Sequence, residues 1–159
     1  MTPFGPLGRR IKRSRRGGVE LRLPEEEREF LRSLAPEMRE LLGTPDDPAI
    51  GRLFPPAYVD DEDHQTAYRL LAGTELMESH LAALEVLETS ADAERLDEEQ
   101  AHAWMRALNE VRLVLGTRLD VTEEGTERPT SRNDPRLPAF AAYDYLSQLQ
   151  GELIEALSG

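Results

Sequence analysis

The chain is predicted to be all-α, a helical bundle of about four main helices plus a short one, preceded by an N-terminal β-hairpin. Leucine-rich stripes at helical spacing recur in several long segments. Acidic or capping residues stand in front of those stripes. Period-two alternation is confined to one short run after Gly17-Gly18.

The hairpin comes first. A basic run from Arg9 is followed by the Gly17-Gly18 turn, and Val19, Leu21 and Leu23 then alternate with Glu20 and Arg22. Alternation puts the three apolar side chains on one face, and a lone hairpin is marginal in water. It is therefore expected to lie on the helices with its Arg side chains on the outer face. Pro24 suits a helix start and Glu25, Glu26 and Glu27 suit the positive end of its dipole. The stripe of Phe30, Leu31, Leu34, Met38, Leu41 and Leu42 follows, with Pro36 expected to kink or split the helix and Gly43 to end it.

Between Thr44 and Asp63 the reading is a loop holding a short helix from about Pro48 to Phe54, with Phe54 and Tyr58 as core anchors. The next helix is expected near Asp61, with a break at Gly73-Thr74 and a continuation to about Glu88. The strongest helix signal runs from Asp97 to about Arg118, where Asp97 and Gln100 have capping-box spacing and Trp104, Met105, Leu108, Val111, Leu115 and Leu119 form a stripe. Residues 120–138 read as a long surface loop. A last helix from about Leu137 to Leu157 turns Phe140, Tyr143, Leu146, Leu149, Leu153, Ile154 and Leu157 inward. These elements divide into a flexible N-terminus (1–8), a basic hairpin (9–23) and a helical domain (24–159), together a single domain.

Composition excludes several kinds of chemistry. The 159 residues contain no cysteine, which rules out disulfides, thiolate metal sites and thiol nucleophiles within them. No apolar run approaches the roughly 20 residues of a spanning helix, and the basic start lacks the apolar core of a secretory signal. A cytoplasmic protein with no membrane contact is expected. His64, His80 and His102 stand in separate segments without metal-ligand spacing. No carboxylate pair, phosphate loop or nucleophile elbow stands out. The expectation is a protein without catalytic residues, metal or cofactor, and not an enzyme.

Charge points instead to binding. The net charge is -12, yet Arg9, Arg10, Lys12, Arg13, Arg15 and Arg16 place six positive charges ahead of the first acidic residue, Glu20. Beyond them, 13 basic residues stand against 31 acidic ones. Such a body repels nucleic acid, so contact with DNA or RNA falls to the basic hairpin. The alternative is a solvated arm, while the acidic surface suits a basic protein partner. Trp104, Tyr143 and Tyr145 lie on leucine-rich faces and read as core rather than as a base-stacking platform. Asn109 and Arg112 are candidates for a polar link to a neighbouring helix, with a solvated face as the alternative. A bundle of this size can also leave an apolar face for a second copy in a homodimer.

Three stretches carry a resemblance: "DDPAIGRLFPPAYVDDED" at 46–63, "LDEEQAHAWMRALNEVRLVLGTRLDVTEE" at 96–124 and "AAYDYLSQLQGELIEAL" at 141–157. With the opening "RRIKRSRRGGVELRL", they resemble the actinobacterial domain-of-unknown-function family that includes the oxidation-sensing transcriptional regulator AosR. The resemblance covers nearly the whole chain and names no active site. It implies a non-enzymatic cytoplasmic regulator of gene expression in an oxidative-stress response, acting with DNA or with a protein of the transcription machinery. Thiol switching in such regulators needs cysteine, which this chain lacks. Either a partner conveys the signal, or the family's shared role is not oxidant sensing.

Overall fold

The computed structural model describes residues 8–44, 62–120 and 128–159, with side chains of the second segment described from Gly73 onward. Three short strands, β1 (Ile11–Arg13), β2 (Val19–Leu21) and β3 (Arg95–Leu96), join four helices, α1 (Glu25–Leu42), α2 (Glu62–Ser90), α3 (Glu98–Arg118) and α4 (Leu137–Ser158). The fold is mostly helical with a small antiparallel sheet in the order β1-β2-β3. Helix α1 packs on α2, α2 on α3 and α3 on α4, while β1 and β2 lie against α4.

The expected hairpin is thus two-thirds of a three-stranded sheet. Ile11 faces Leu21, Val19 faces both Arg13 and Leu96, and Glu20 faces both Lys12 and Arg95. Ile11, Val19 and Leu96 are fully buried and Leu21 nearly so, so one face of the sheet closes the core. Gly18 makes the third strand possible. Its φ is +70°, in the left-handed region that glycine favours, and a Cβ there would meet the Leu96 carbonyl oxygen at 1.9 Å.

Helix α1 runs unbroken through Pro36, which is exposed. An internal proline costs about 3 kcal/mol, and burial of Leu31, Leu34, Ala35 and Met38 on the opposite side outweighs it at roughly 1.5–3 kcal/mol per large side chain. Helix α2 likewise continues through Gly73 and Thr74 instead of breaking. An interior glycine costs only about 1 kcal/mol, less than the burial of Leu84 and Leu87 contributes. Helix α3 begins as its spacing indicates: Gln100 N–H donates to Asp97 Oδ1 at 2.7 Å and Asp97 N–H donates to Gln100 Oε1 at 3.0 Å. On α4, Tyr145 is buried, in line with its reading as core, whereas Ile154, expected on the inner face, is 46% exposed. The short helix expected at 48–54, with Phe54 and Tyr58, lies outside the described residues. No described helix is long and apolar enough to cross a membrane.

One polar cluster ties the sheet to the helices. The Arg10 guanidinium donates to Glu27 of α1 through Nε at 2.5 Å and Nη2 at 3.0 Å, and both side chains are buried. The backbone N–H groups of Arg10 and Ile11 donate to Glu152 Oε1 of α4 at 2.7 and 3.2 Å. Arg10 also lies 5.7 Å from the centre of the Tyr145 ring, which meets Phe30 of α1 edge-on. Burial, together with Glu27, pushes the Tyr145 phenol far above its ordinary pKa, so it remains protonated beside the carboxylate.

Two substitutions test this construction. Glu27→Ala leaves Arg10 buried without its counter-ion and is expected to lower unfolding free energy by about 3–5 kcal/mol. Urea denaturation measures it, and a loss below about 1 kcal/mol, the range of exposed pairs, would show that the pair is solvated. Gly18→Ala is expected to disrupt β2–β3 pairing while α3 persists. Exchange protection of the Leu21 amide, which donates to the Glu94 carbonyl at 2.8 Å, should fall, whereas the interior of α3 should keep its protection.

Candidate functional site

On the side of the sheet turned from the core, the cross-strand row Lys12, Glu20, Arg95 alternates positive, negative, positive. The turn above it is built around Ser14. Ser14 N–H donates to the Gly18 carbonyl at 3.0 Å, Gly17 N–H to the Ser14 carbonyl at 3.3 Å and Arg16 N–H to Ser14 Oγ at 3.2 Å. Gly17 and Gly18 both take positive φ, which reverses the chain and leaves Arg15 and Arg16 exposed at the tip.

These elements border a cleft of about 1060 Å³. Seven basic residues line it (Lys12, Arg13, Arg15, Arg16, Arg22, Arg28 and Arg95) with two carboxylates, Glu20 and Glu94. Two of the arginines brace its wall. Arg28 donates to the carbonyls of Leu23, Ala91 and Ala93 at 3.0, 2.8 and 2.7 Å, and Arg95 donates to the Arg16 carbonyl at 3.3 Å.

The charges here contrast with those elsewhere. Arg9, Arg32, Arg39, Arg128 and Arg136 hold carboxylates near the surface, and Arg106 holds the buried Glu110. Among the described residues, none of the seven cleft cations is within ion-pairing distance of a carboxylate. In a chain with 31 acidic residues against 19 basic ones, a cluster of cations left without acidic partners is the feature best suited to an external anion.

The six residues singled out by charge divide accordingly. Lys12, Arg13, Arg15 and Arg16 border the cleft. Arg13 sits at the sheet edge, beside Gly159 at the end of α4. Arg9 turns toward Glu155 at 3.6 Å and donates to the Ile11 carbonyl at 3.1 Å. Arg10, expected on the outer face with the others, is only 4% exposed and its charge is neutralised by Glu27. Charge counting missed Arg22, Arg28 and Arg95. The hairpin register offered a signal for Arg22, two residues beyond Glu20, but the sequence held none for Arg95.

The remaining polar groups serve packing. His80 and Glu110 meet in the buried α2–α3 contact, and Arg106 donates to the same Glu110 oxygen at 3.1 Å. Glu110 Oε2 is buried without a hydrogen-bond partner. Arg112 reaches α4 through Ser147 Oγ at 2.9 Å and through Gln150, which also donates to Asn109 at 3.4 Å. That is the helix-to-helix link expected of Asn109 and Arg112. Trp104 is fully buried and donates to Ser90 Oγ at 2.7 Å. Among the described residues no three potential metal ligands gather.

The model of a family described as "Domain of unknown function (DUF2017)" matches residues 8–157. The chain is 33% identical over 132 residues to proteins named "Oxidative stress regulator AosR" from Mycobacterium bovis and from Mycobacterium tuberculosis H37Rv, covering 72% of this chain and 60% of each relative. It therefore spans about three-fifths of the length of these curated relatives. No solved structure matches it. With nearly every described element, from the basic strand to the end of α4, inside the matched region, the chain belongs to the DUF2017 family.

Proposed function

We propose that this protein is a non-enzymatic regulator in an oxidative-stress response, acting in the cytoplasm in association with the transcription machinery, with the basic cleft as its contact surface. The observation that carries this reading is the set of cations lining the cleft without acidic partners, on a chain that is otherwise strongly acidic. The printed name of the curated relatives, an oxidative stress regulator, supports the biological setting. Binding rather than catalysis fits polar side chains that mostly hold one another or the backbone, as Arg112, Gln150 and Asn109 do.

Within these 159 residues there is no thiol to oxidise. Oxidant sensing by cysteine therefore does not reside in these residues, which on this reading take part in the response by contact. A second reading is a protein-interaction module without nucleic-acid affinity. It is favoured by the acidic exposed faces of the helices, such as Glu75, Glu78 and Glu85 on α2 and Glu98 and Glu99 on α3.

Deleting the gene and profiling transcripts before and after peroxide exposure tests the regulatory role. The oxidant-induced set should change in the deletion strain and be restored by the wild-type gene, but not by a variant carrying Lys12→Ala, Arg15→Ala and Arg16→Ala. An unchanged oxidant response in the deletion strain would remove the regulatory reading. Full restoration by the variant would remove the cleft from it.

A further inference from the structure

We propose that the cleft binds the phosphodiester backbone of duplex nucleic acid without regard to base sequence; this rests on the regulatory reading above and specifies its ligand. The first argument is what the cleft lacks. Its lining contains no Phe, Tyr, Trp or His, and its apolar members are Leu21, Leu23 and Pro24. Proteins that hold single strands stack bases on aromatic side chains, and nothing here can do so. Among the lining residues, what remains for a nucleic acid is charge directed at phosphate, which positions a duplex and carries no sequence information.

The second argument is the arrangement of that charge. Glu20 stands between Lys12 and Arg95 in the cross-strand row, with the flanking strands roughly 10 Å apart at the ordinary interstrand spacing. A compact anion settling in the centre would meet the Glu20 carboxylate. An extended polyanion can instead follow the cationic margins, with Lys12, Arg15 and Arg16 on one side, Arg95 on the other and Arg22 two residues beyond Glu20 along the central strand. The tip of the turn is open, since a Cβ at Gly17 would meet no atom beyond its chain neighbours within 4 Å. Arg28 and Arg95 hold backbone carbonyls, so the margin is braced before a ligand arrives and little ordering is needed on binding.

Lys12, Arg15, Arg16 and Arg22 hold neither carboxylate nor carbonyl with their side-chain nitrogens among the described residues. With these four each neutralising one phosphate, the logarithm of the binding constant should fall with the logarithm of salt at a slope of about -3.6. That is on the order of a hundredfold weakening between roughly 50 and 200 mM.

Fluorescence anisotropy of the full chain supplies the test, with four labelled probes: two DNA duplexes of unrelated sequence, one of their single strands, and a poly-glutamate peptide. The two duplexes should bind equally, with the stated slope, and more tightly than the strand or the peptide. Arg16→Ala should flatten the slope by about 0.9, and the triple variant should abolish binding. Glu20→Gln should tighten duplex binding several-fold. Arg132→Ala, exposed and away from the cleft, should change nothing. Circular dichroism confirms folding, and the Arg16→Ala and Glu20→Gln arms decide the matter even where the triple variant does not fold. An RNA duplex of the same length distinguishes the two sources of phosphodiester backbone. Absence of duplex binding at low salt, equal affinity for the single strand, preference for poly-glutamate, or indifference to Arg16→Ala and Glu20→Gln would each overturn the inference. An intact oxidant phenotype alongside any of these leaves the regulatory role standing, whereas a lost phenotype with duplex binding intact removes that role alone.

Discussion

A buried guanidinium must find an acceptor, and for Arg10 that acceptor is Glu27, in the first turn of α1. The pair fixes the position of β1, because the same residue's backbone N–H and that of Ile11 are held by Glu152 of α4. Two helices distant in sequence are thereby tied to one three-residue strand. The sheet follows, since β2 is reached from β1 by a five-residue turn and β3 is held by β2. A strand this short has little pairing energy of its own. Its place depends on the ion pair below it and on Ile11, Val19 and Leu96, which fill the space between sheet and helices. The raised pKa of Tyr145 fits the same picture, with the phenol kept neutral so that no phenolate adds its charge to that of Glu27.

Net charge alone hides the outcome. A surplus of acidic residues means that a cation at a random surface position finds a carboxylate within reach, and several arginines outside the cleft do. Exposed pairs of that kind contribute about 0–1 kcal/mol, so they matter less for stability than for reducing the local field. The cleft escapes this neutralisation for a structural reason. Its cations come from the turn, from the sheet and its flank, and from Arg28 on α1, and neither of the two carboxylates that line it with them, Glu20 and Glu94, lies within pairing distance. The backbone carbonyls that engage Arg28 and Arg95 fix these two side chains without removing their charge.

Helices were legible wherever an apolar stripe met a capping signal, and the Asp97–Gln100 box is the clearest case because its two hydrogen bonds follow from spacing alone. Breaks were over-read. Pro36 and Gly73 each carry a local penalty that tertiary burial exceeds, and no single-residue propensity reveals the size of that burial. Strand β3 was not legible, since two residues cannot show alternation and Leu96 pairs with Val19 across a long stretch of chain. For the cleft, the basic run was visible but its division was not. Arg10 and Lys12 have the same sign and the same strand parity, and only the presence of Glu27 beneath one of them sends it inward. Glu27 itself read as a helix-dipole residue among three glutamates, and nothing local distinguishes it from Glu25 or Glu26.

The same asymmetry that makes the cleft conspicuous limits what it can do. If the cleft holds a duplex as proposed, the acidic body repels a second stretch of it and confines the footprint to the sheet and its turn. A footprint of a few phosphates without base contacts gives weak, salt-sensitive attachment that cannot select a promoter. On the proposed reading selection comes from a partner, and the exposed Glu75, Glu78 and Glu85 of α2 with Glu98 and Glu99 of α3 suit a protein with a basic surface. Two weak contacts joined in one molecule bind far more tightly than either alone, because the second becomes intramolecular. On the proposed reading the absence of cysteine within these residues is consistent with a regulatory role, because for a chain that joins two partners a chemical change in one of them is enough to alter whether both contacts are made.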